Sequence, residues 1–521
     1  MSGATIGSTS DEVDTHPPPA RVLHFVEGDF VPSLDGGCFE TRAPATNDVL
    51  AEVAEGLAAD VDRAVSAARK AFDEGPWPRM TAAERAAALR RVADAIEARG
   101  EEIVRAECVD TGLPISQARG QATRAADNFR FFADAATQLE TEAYPVEGRF
   151  LNYVVRKPVG VAALITPWNT PFMLETWKVA PCLAAGNTCV LKPAEWSPLS
   201  AAKLAEAIAD ADIPPGVFNV VHGIGEVAGA ALVAHSDVSL VSFTGETTTG
   251  KEIVRSGAAT LKRFSLELGG KSPVVVFADA DLDRAVDAIV FGVFSLNGER
   301  CTAGSRLLVE EAVYDDVVAR VAKRTAAIRC GDPLDPATEL GPLIHPEHWR
   351  NVRGYVETGV AEGARLLVGG NCPPDLPASN YLAATLFADV RPEMRIFQEE
   401  IFGPVLCATP FRDEEEAVRL ANGVRYGLAA YVWTRDLQRA HRVGGAIDAG
   451  MVWLNSQNVR DLRTPFGGTK ESGIGREGGR FSFDFYSELE TIHTALGDHP
   501  IPRFGLPRGD KEVRGDAGTH R

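Results

Sequence analysis

A chain of 521 residues is too long for one hydrophobic core, so two or three domains are expected. With 45% hydrophobic and 24% charged residues it has the make-up of a globular enzyme, and no apolar run is long enough to span a bilayer. The formal charge of −19 speaks against nucleic acid as a partner and obliges any anionic ligand to find a local cluster of cations.

Residues 1–20 are polar, contain Pro17-Pro18-Pro19 and read as a disordered leader. A strand pair is predicted between Val22 and Glu52, turning at Asp35-Gly36-Gly37. Three helices follow. Val61, Ala64, Val65, Ala68 and Phe72 share one face of the first. The second opens on the capping box Thr81-Ala82-Ala83-Glu84 and closes at Gly100. The third runs from about Ser116 to Glu140 and carries Arg124. Tyr144–Pro158 reads as an extended arm.

From Val161 the pattern alternates. Val161–Ile165, Thr188–Leu191, Val217–Val221 and Val238–Phe243 are continuous apolar runs, each followed by a helical pattern. Such β–α units build a parallel sheet buried on both faces, and nucleotides bind at the carboxyl ends of its strands. A second β/α block begins near Pro273 and runs to about Asn455, with a boundary at Gly269-Gly270.

The residues just past each strand are therefore the informative ones. Thr166-Pro167-Trp168-Asn169-Thr170-Pro171 locks one amide side chain between two prolines, a good way to preorganise a hydrogen-bond donor. Lys192-Pro193-Ala194-Glu195 offers a cation and a carboxylate suited to ribose hydroxyls, though a surface ion pair would look the same. Gly223-Ile224-Gly225 is glycine-rich but weak by itself. Phe243-Thr244-Gly245-Glu246 opens a helix whose N-terminus suits a pyrophosphate. Glu267, between leucines and ahead of Gly269-Gly270-Lys271, is a candidate general base whose burial would raise its pKa. Glu399-Glu400-Ile401-Phe402-Gly403-Pro404 presents a further carboxylate on a sharp turn.

Cys301 sits in Asn297-Gly298-Glu299-Arg300-Cys301-Thr302-Ala303-Gly304, between a helical segment (Asp281 to Phe294) and the strand-like Leu307, Leu308 and Val309. On this loop alone it is either a poised nucleophile or a small buried hydrophobe. The eight cysteines include no Cys-x-x-Cys pair and the ten histidines no ligand spacing. This gives no metal site and no disulfide framework, and it fits a reducing cytoplasm.

Together with Pro465-Phe466-Gly467-Gly468, these segments, in this order from about Phe25 to Phe504, resemble the aldehyde dehydrogenase superfamily. The resemblance implies an α/β fold with a Rossmann-like NAD-binding domain (21–143 and 159–269) and an α/β catalytic domain (270–483). It further implies a small β oligomerisation arm (144–158 and 484–502), with 503–521 as a flexible tail. Cys301 would then be the nucleophile, Asn169 and the Cys301 N–H the oxyanion donors, and Glu267 the deacylating base. NAD would be held by Thr166, Pro167, Trp168, Lys192, Glu195, Gly225, Phe243, Gly245, Leu268, Glu400 and Phe402. Glu246, where many members have serine, puts a carboxylate near the expected pyrophosphate, so it either turns away or pairs with a cation such as Lys251. A structural protein on this fold is disfavoured by the intact trio, and a CoA-dependent dehydrogenase by Glu267.

Finer matches, among them Asn458-Val459-Arg460-Asp461-Leu462-Arg463 and Gly497-Asp498-His499-Pro500, resemble the branch acting on muconate semialdehydes. The expected substrate is 5-carboxymethyl-2-hydroxymuconate semialdehyde, with the 2-hydroxy- and 2-aminomuconate semialdehydes, or a broader range of aldehydes, as alternatives. Arg124, Arg460 and Arg463 are the expected carboxylate anchors, with Phe466 beside them, unless Arg460 is tied to Asp461 in a structural ion pair. A cytoplasmic homodimer or homotetramer is expected, without nucleic-acid or membrane partners.

Overall fold

The apolar runs after Val161 are strands because nothing polar interrupts them: Val161–Ile165 and Thr188–Lys192 are buried along their whole length. The computed structural model describes residues 20–377, 380–502 and 504–505. The expected leader, Ala20 excepted, and most of the expected tail lie outside the described residues.

Among the described residues, eight strands form one sheet. Its parallel core runs, side by side, Arg263–Glu267, Val238–Thr244, Val161–Ile165, Thr188–Lys192 and Phe218–Val220. His24–Val26 and Asp29–Val31 extend one edge and Gly473–Ile474 the other, all antiparallel. A second sheet of seven strands has Arg306–Glu310 and Pro273–Val276 at its centre, flanked by Val405–Phe411 and Ala429–Trp433. Alternate residues of Pro273–Val276 enter two different apolar clusters, Val274 and Val276 in one and Val275 in the other. Both faces of the strand are thus covered, and each fully buried valine contributes about 1.5–3 kcal/mol.

The chain divides into two compact units. One takes the residues before Leu139 together with Pro158–Ser487; the other takes Leu139–Lys157 and the described residues from Glu488 on. The second unit is built on the antiparallel strands Ala143–Val146, Phe150–Pro158 and Ser487–Ala495. Residues 484–486, assigned to the arm by sequence, instead end the helix Gly479–Tyr486, which buries Phe483 and Tyr486.

One local reading is corrected and one extended. The helix Ala82–Ala98 closes at Arg99, beside the expected Gly100, but a further helix, Gly100–Thr111, starts at once. Arg99, at φ −97° and ψ 8°, bends the chain while its guanidinium pairs with Glu102, Glu206 and Asp210. The true stop is Gly112, left-handed at φ +76°. Asp35-Gly36-Gly37 is a turn, with the Asp35 carboxylate accepting from Gly37 N, but it joins strands that do not pair. Asp29–Val31 pairs backward with His24–Val26, and Cys38–Arg42 forward with Val49–Ala54.

Candidate active site

The segment before Cys301 is the helix Leu282–Phe294, capped by Asp281, and the segment after it is the strand Arg306–Glu310. Between them Leu296 and Asn297 take φ values of +54° and +57°, a conformation costing on the order of 1 kcal/mol or more at each non-glycine residue. The Asn297 side chain supports it. Its Nδ2 donates to Gly112 O and Pro342 O, both at 3.0 Å, and its Oδ1 accepts from Gly341 N at 2.8 Å. Leu296 N donates to Gln117 Oε1 at 2.6 Å. The Cys301 loop is therefore pinned to three other segments. The Cys301 thiol is pushed up to about 11 by burial first, then by Glu400 and Glu267, against Arg300 and Arg460. At neutral pH it carries its proton and needs a base to lose it.

Glu267 ends the strand Arg263–Glu267 with both carboxyl oxygens buried and without a hydrogen-bond partner. Burial, then the charge of Glu477, holds its carboxyl well above the ordinary range, against the pull of Lys178, Arg476 and Arg460. A raised carboxyl is a stronger proton acceptor when ionised, which is the direction in which general bases are tuned. The paired glycines after it serve close approach: a Cβ at Gly269 would lie 2.0 Å from Glu400 Oε2, and one at Gly270 would lie 2.7 Å from Cys301 O. Glu400 accepts from Gly270 N at 2.9 Å, and burial raises its carboxyl to about 7.

Asn169 follows Val161–Ile165 and is buried; its Nδ2 donates to Glu299 O at 2.8 Å, which ties it to the Cys301 loop and leaves its second N–H for a ligand. Cys301, Glu267 and Asn169 line two cavities at once, as do Leu268 and Thr244. The larger cavity, about 700 Å³, also takes Pro167, Trp168, Gly245, Glu246, Glu400 and Phe402 into its wall. The ring of Trp168 meets those of Phe402 and His348 edge to face. Thr166, Lys192, Glu195, Gly225 and Phe243 lie outside that wall, at the carboxyl ends of the same sheet. Lys192 Nζ donates to Glu195 Oε2 at 3.0 Å, Gly225 lies beside that ammonium, and the Phe243 ring packs under Gly245. The exposed Glu246 lines the cavity, whereas Lys251 pairs with Glu471, so the expected Glu246–Lys251 contact is not made.

The second, narrower cavity has Arg124, Arg460 and Phe466 in its wall. Arg460 lies over two rings, its guanidinium carbon 4.3 Å from the centre of Phe466 and 4.9 Å from that of Trp177. It makes no ion pair with Asp461. Arg463 does: its Nε donates to Asp461 Oδ1 at 2.9 Å, on the surface and away from the cavity. Arg463 is therefore withdrawn as a substrate anchor, because a carboxylate two residues away already satisfies it.

Sequence reasoning missed three features. Lys178 Nζ, wholly buried, donates to Glu477 Oε1 at 2.7 Å and to Ser242 Oγ at 2.8 Å, setting an ion pair behind Glu267. A lysine close to Glu175 and Thr176 in the mostly apolar helix Pro171–Ala184 was the available signal. His348, on the larger cavity, makes a 2.8 Å hydrogen bond through Nε2 to Phe402 O, and burial lowers it to about 4. Arg300, beside the nucleophile, also lines the narrower cavity.

A parallel sheet with a cleft at its carboxyl edge, meeting a thiol, a carboxyl and an amide at the mouth of a cationic cavity, defines a class: proteins that couple a nucleotide-type cleft to cysteine chemistry. Within that class the chain belongs to the aldehyde dehydrogenase family, whose sequence pattern matches residues 30–492. It is 51% identical over 468 residues to 5-carboxymethyl-2-hydroxymuconate semialdehyde dehydrogenase of Escherichia coli, covering 89% of this chain and 98% of that one. The crystal structure of HpcC from Thermus thermophilus is 56% identical, with a TM-score of 0.91 over 94% of this chain and 95% of that one. The structure of an NAD+ complex of aldehyde dehydrogenase from Bacillus cereus is 41% identical, with a TM-score of 0.90 over 92% and 97% of the two chains.

Proposed function

We propose that this protein oxidises 5-carboxymethyl-2-hydroxymuconate semialdehyde to the carboxylic acid, with NAD as the hydride acceptor. The observation that carries the substrate class is Arg460, which lies over Trp177 and Phe466 without a carboxylate partner, in the cavity that reaches Cys301. A planar conjugated anion suits an arginine walled by rings, and a chain of charge −19 offers it few other places. The similarity to the Escherichia coli and Thermus proteins supports the same reading.

The residues present fit NAD. A cavity of about 700 Å³ is within the range of cofactor clefts, about 300–1,000 Å³. Glu195 and Lys192 suit the hydroxyls of one ribose and Glu400 those of the other, Trp168 and Phe402 give apolar wall, and Thr247–Gly257 turns its N-terminus to the sheet's carboxyl edge. Glu195 also repels a 2′-phosphate. When bound, NAD supplies the acceptor for the hydride that leaves the substrate carbon.

The chain's own residues do the rest. Glu267 takes the thiol proton of Cys301, and Sγ bonds to the aldehyde carbon. The oxygen's developing charge is met by Asn169 Nδ2–H and the Cys301 backbone N–H. After oxidation to the thioester, Glu267 gives the thiol proton up to solvent and takes a second one from the attacking water; the C–S bond breaks, that proton passes to the leaving sulfur, and the acid departs with the thiol restored. Lys178 and Glu477 hold fixed charges behind Glu267 throughout. The second unit, with Tyr144, Val146 and Leu489 exposed, is the part we assign to dimer or tetramer assembly. The eight free thiols suit the reducing cytoplasm.

The test is kcat/KM across ring-fission semialdehydes and a neutral aldehyde. Arg460→Ala is expected to raise KM for the semialdehydes on the order of 10–100-fold more than for the neutral aldehyde, the weight of a charge-assisted pair. Equal effects on both would remove the anchor and the substrate class with it.

A further inference from the structure

Resting on that reading, the wall of the narrower cavity carries one cation more than a single carboxylate needs. Arg124, Arg300 and Arg460 all line it. Arg124 Nη1 donates to Gln121 Oε1 at 3.3 Å. Arg300 donates from Nε to Thr302 Oγ1 at 3.1 Å and from Nη1 to Ser295 Oγ at 3.0 Å. Arg460 has its two aromatic faces. Every one of these partners is neutral, and among the described residues none of the three guanidiniums is in an ion pair.

The nearby anions are already committed. Glu477 is bonded to Lys178, and Glu267 is held toward its protonated form by burial. The guanidiniums also repel one another: after burial, the largest influence lowering Arg124 is Arg300, and that lowering Arg460 is Arg124. Three unpaired guanidiniums round one cavity repel one another, and an anionic ligand bound among them relieves that repulsion. One carboxylate has two oxygens and takes one or two arginine forks, so the third fork is left over.

Placement separates the three. Arg124 comes from the helix Ile115–Thr137, and Arg460 from the segment after the strand Met451–Leu454. Arg300 alone rides on the nucleophile loop, one residue from Cys301. In the proposed substrate the carboxymethyl group stands on the carbon next to the aldehyde, and the other carboxylate ends the conjugated chain. We infer that Arg300 binds the carboxylate adjacent to the reacting aldehyde while Arg124 and Arg460 bind the distal one, so that Arg300 selects semialdehydes carrying two carboxylates.

The experiment compares 5-carboxymethyl-2-hydroxymuconate semialdehyde with 2-hydroxymuconate semialdehyde, which lacks the near carboxylate, on wild type, R300Q and R300K. The ratio of the two kcat/KM values cancels any effect of Arg300 on the neighbouring thiol common to both substrates. In R300Q the ratio is expected to fall on the order of 10–100-fold from wild type. R300K, which keeps the charge without the planar fork, is expected to fall between. An unchanged ratio in R300Q, or the same ratio in R300K and R300Q, overturns the assignment of Arg300. If wild type prefers a neutral aldehyde to both semialdehydes, the substrate reading beneath it fails instead.

Discussion

Asn169→Ala isolates the oxyanion donor. One Asn169 N–H is spent on Glu299 O at 2.8 Å, which fixes the amide against the nucleophile loop, and the other is left for the cavity it lines with Cys301. A donor held in place before the reaction gives its full strength only when charge develops on the oxygen. Removing one such donor costs on the order of 10²–10³ in kcat, about 2.7–4 kcal/mol of the barrier. The neutral aldehyde barely uses the donor in the ground state, so KM is expected to move by only a few-fold. The substitution also leaves Glu299 O without its partner, which costs about 1–3 kcal/mol of stability. The two effects separate experimentally, because steady-state and stopped-flow NADH formation read the first and thermal unfolding the second. A loss in kcat under tenfold in a folded variant, or a loss carried wholly by KM, would refute the oxyanion role.

In Glu267→Gln both thiol deprotonation and deacylation lack their base, so NADH formation is expected to slow on the order of 10²–10⁴-fold from the first turnover, without a burst; a full-speed burst would show that another group takes the thiol proton. With the Cys301 thiol pushed up to about 11, its iodoacetamide reaction in ligand-free protein, measured against Cys301→Ala, should quicken about tenfold per pH unit between pH 7 and 10. A plateau below pH 9 would show the resting thiol already activated. Glu107 is held by burial at about 8 in the folded chain, above its ordinary 4.5. Its contribution to stability is therefore fully present below about 4.5 and is lost as pH rises through 8, and Asp110, raised to about 7, acts in the same direction. Glu107→Gln should flatten the fall of Tm between pH 5 and 9, and an unaltered slope would discard this linkage.

What was legible in the sequence was what local pattern decides. Val161–Ile165 and Thr188–Lys192 had to be buried strands because they hold no polar break, and the residues past them, Asn169 and Lys192 among them, had to stand at the sheet's carboxyl edge. Illegible were matters decided by partners distant in sequence. Gly100 reads as a helix stop, yet Arg99, through carboxylates that include Glu206 and Asp210, holds a bend from which a new helix starts. Gly473–Ile474 is too short to announce itself, but pairing with Leu266–Glu267 makes it a strand. Arg460 and Arg463 both stand close to Asp461 in sequence, and the fold shows that Asp461 takes Arg463 and leaves Arg460 to the rings of Trp177 and Phe466.

The distribution of charge then explains why one chain needs two cavities. Glu246 and Glu400 share the wall of the larger one with Arg350 and Arg395, whereas the narrower has Arg124, Arg300 and Arg460, with Glu477 there tied to Lys178. On the proposed function, an anionic semialdehyde is drawn into the second by its unpaired guanidiniums, and its aldehyde end would reach Cys301 from the side opposite the hydride acceptor. The same sorting acts on the thiol: Glu400 and Glu267 raise it, and Arg300 and Arg460 lower it. A carboxylate that neutralises those arginines would by itself make the thiol harder to ionise, so charge alone cannot activate Cys301 when substrate binds. In the proposed mechanism Glu267 therefore takes the proton directly. That requirement is why an unpartnered buried carboxyl is kept at the junction, where it faces both cavities.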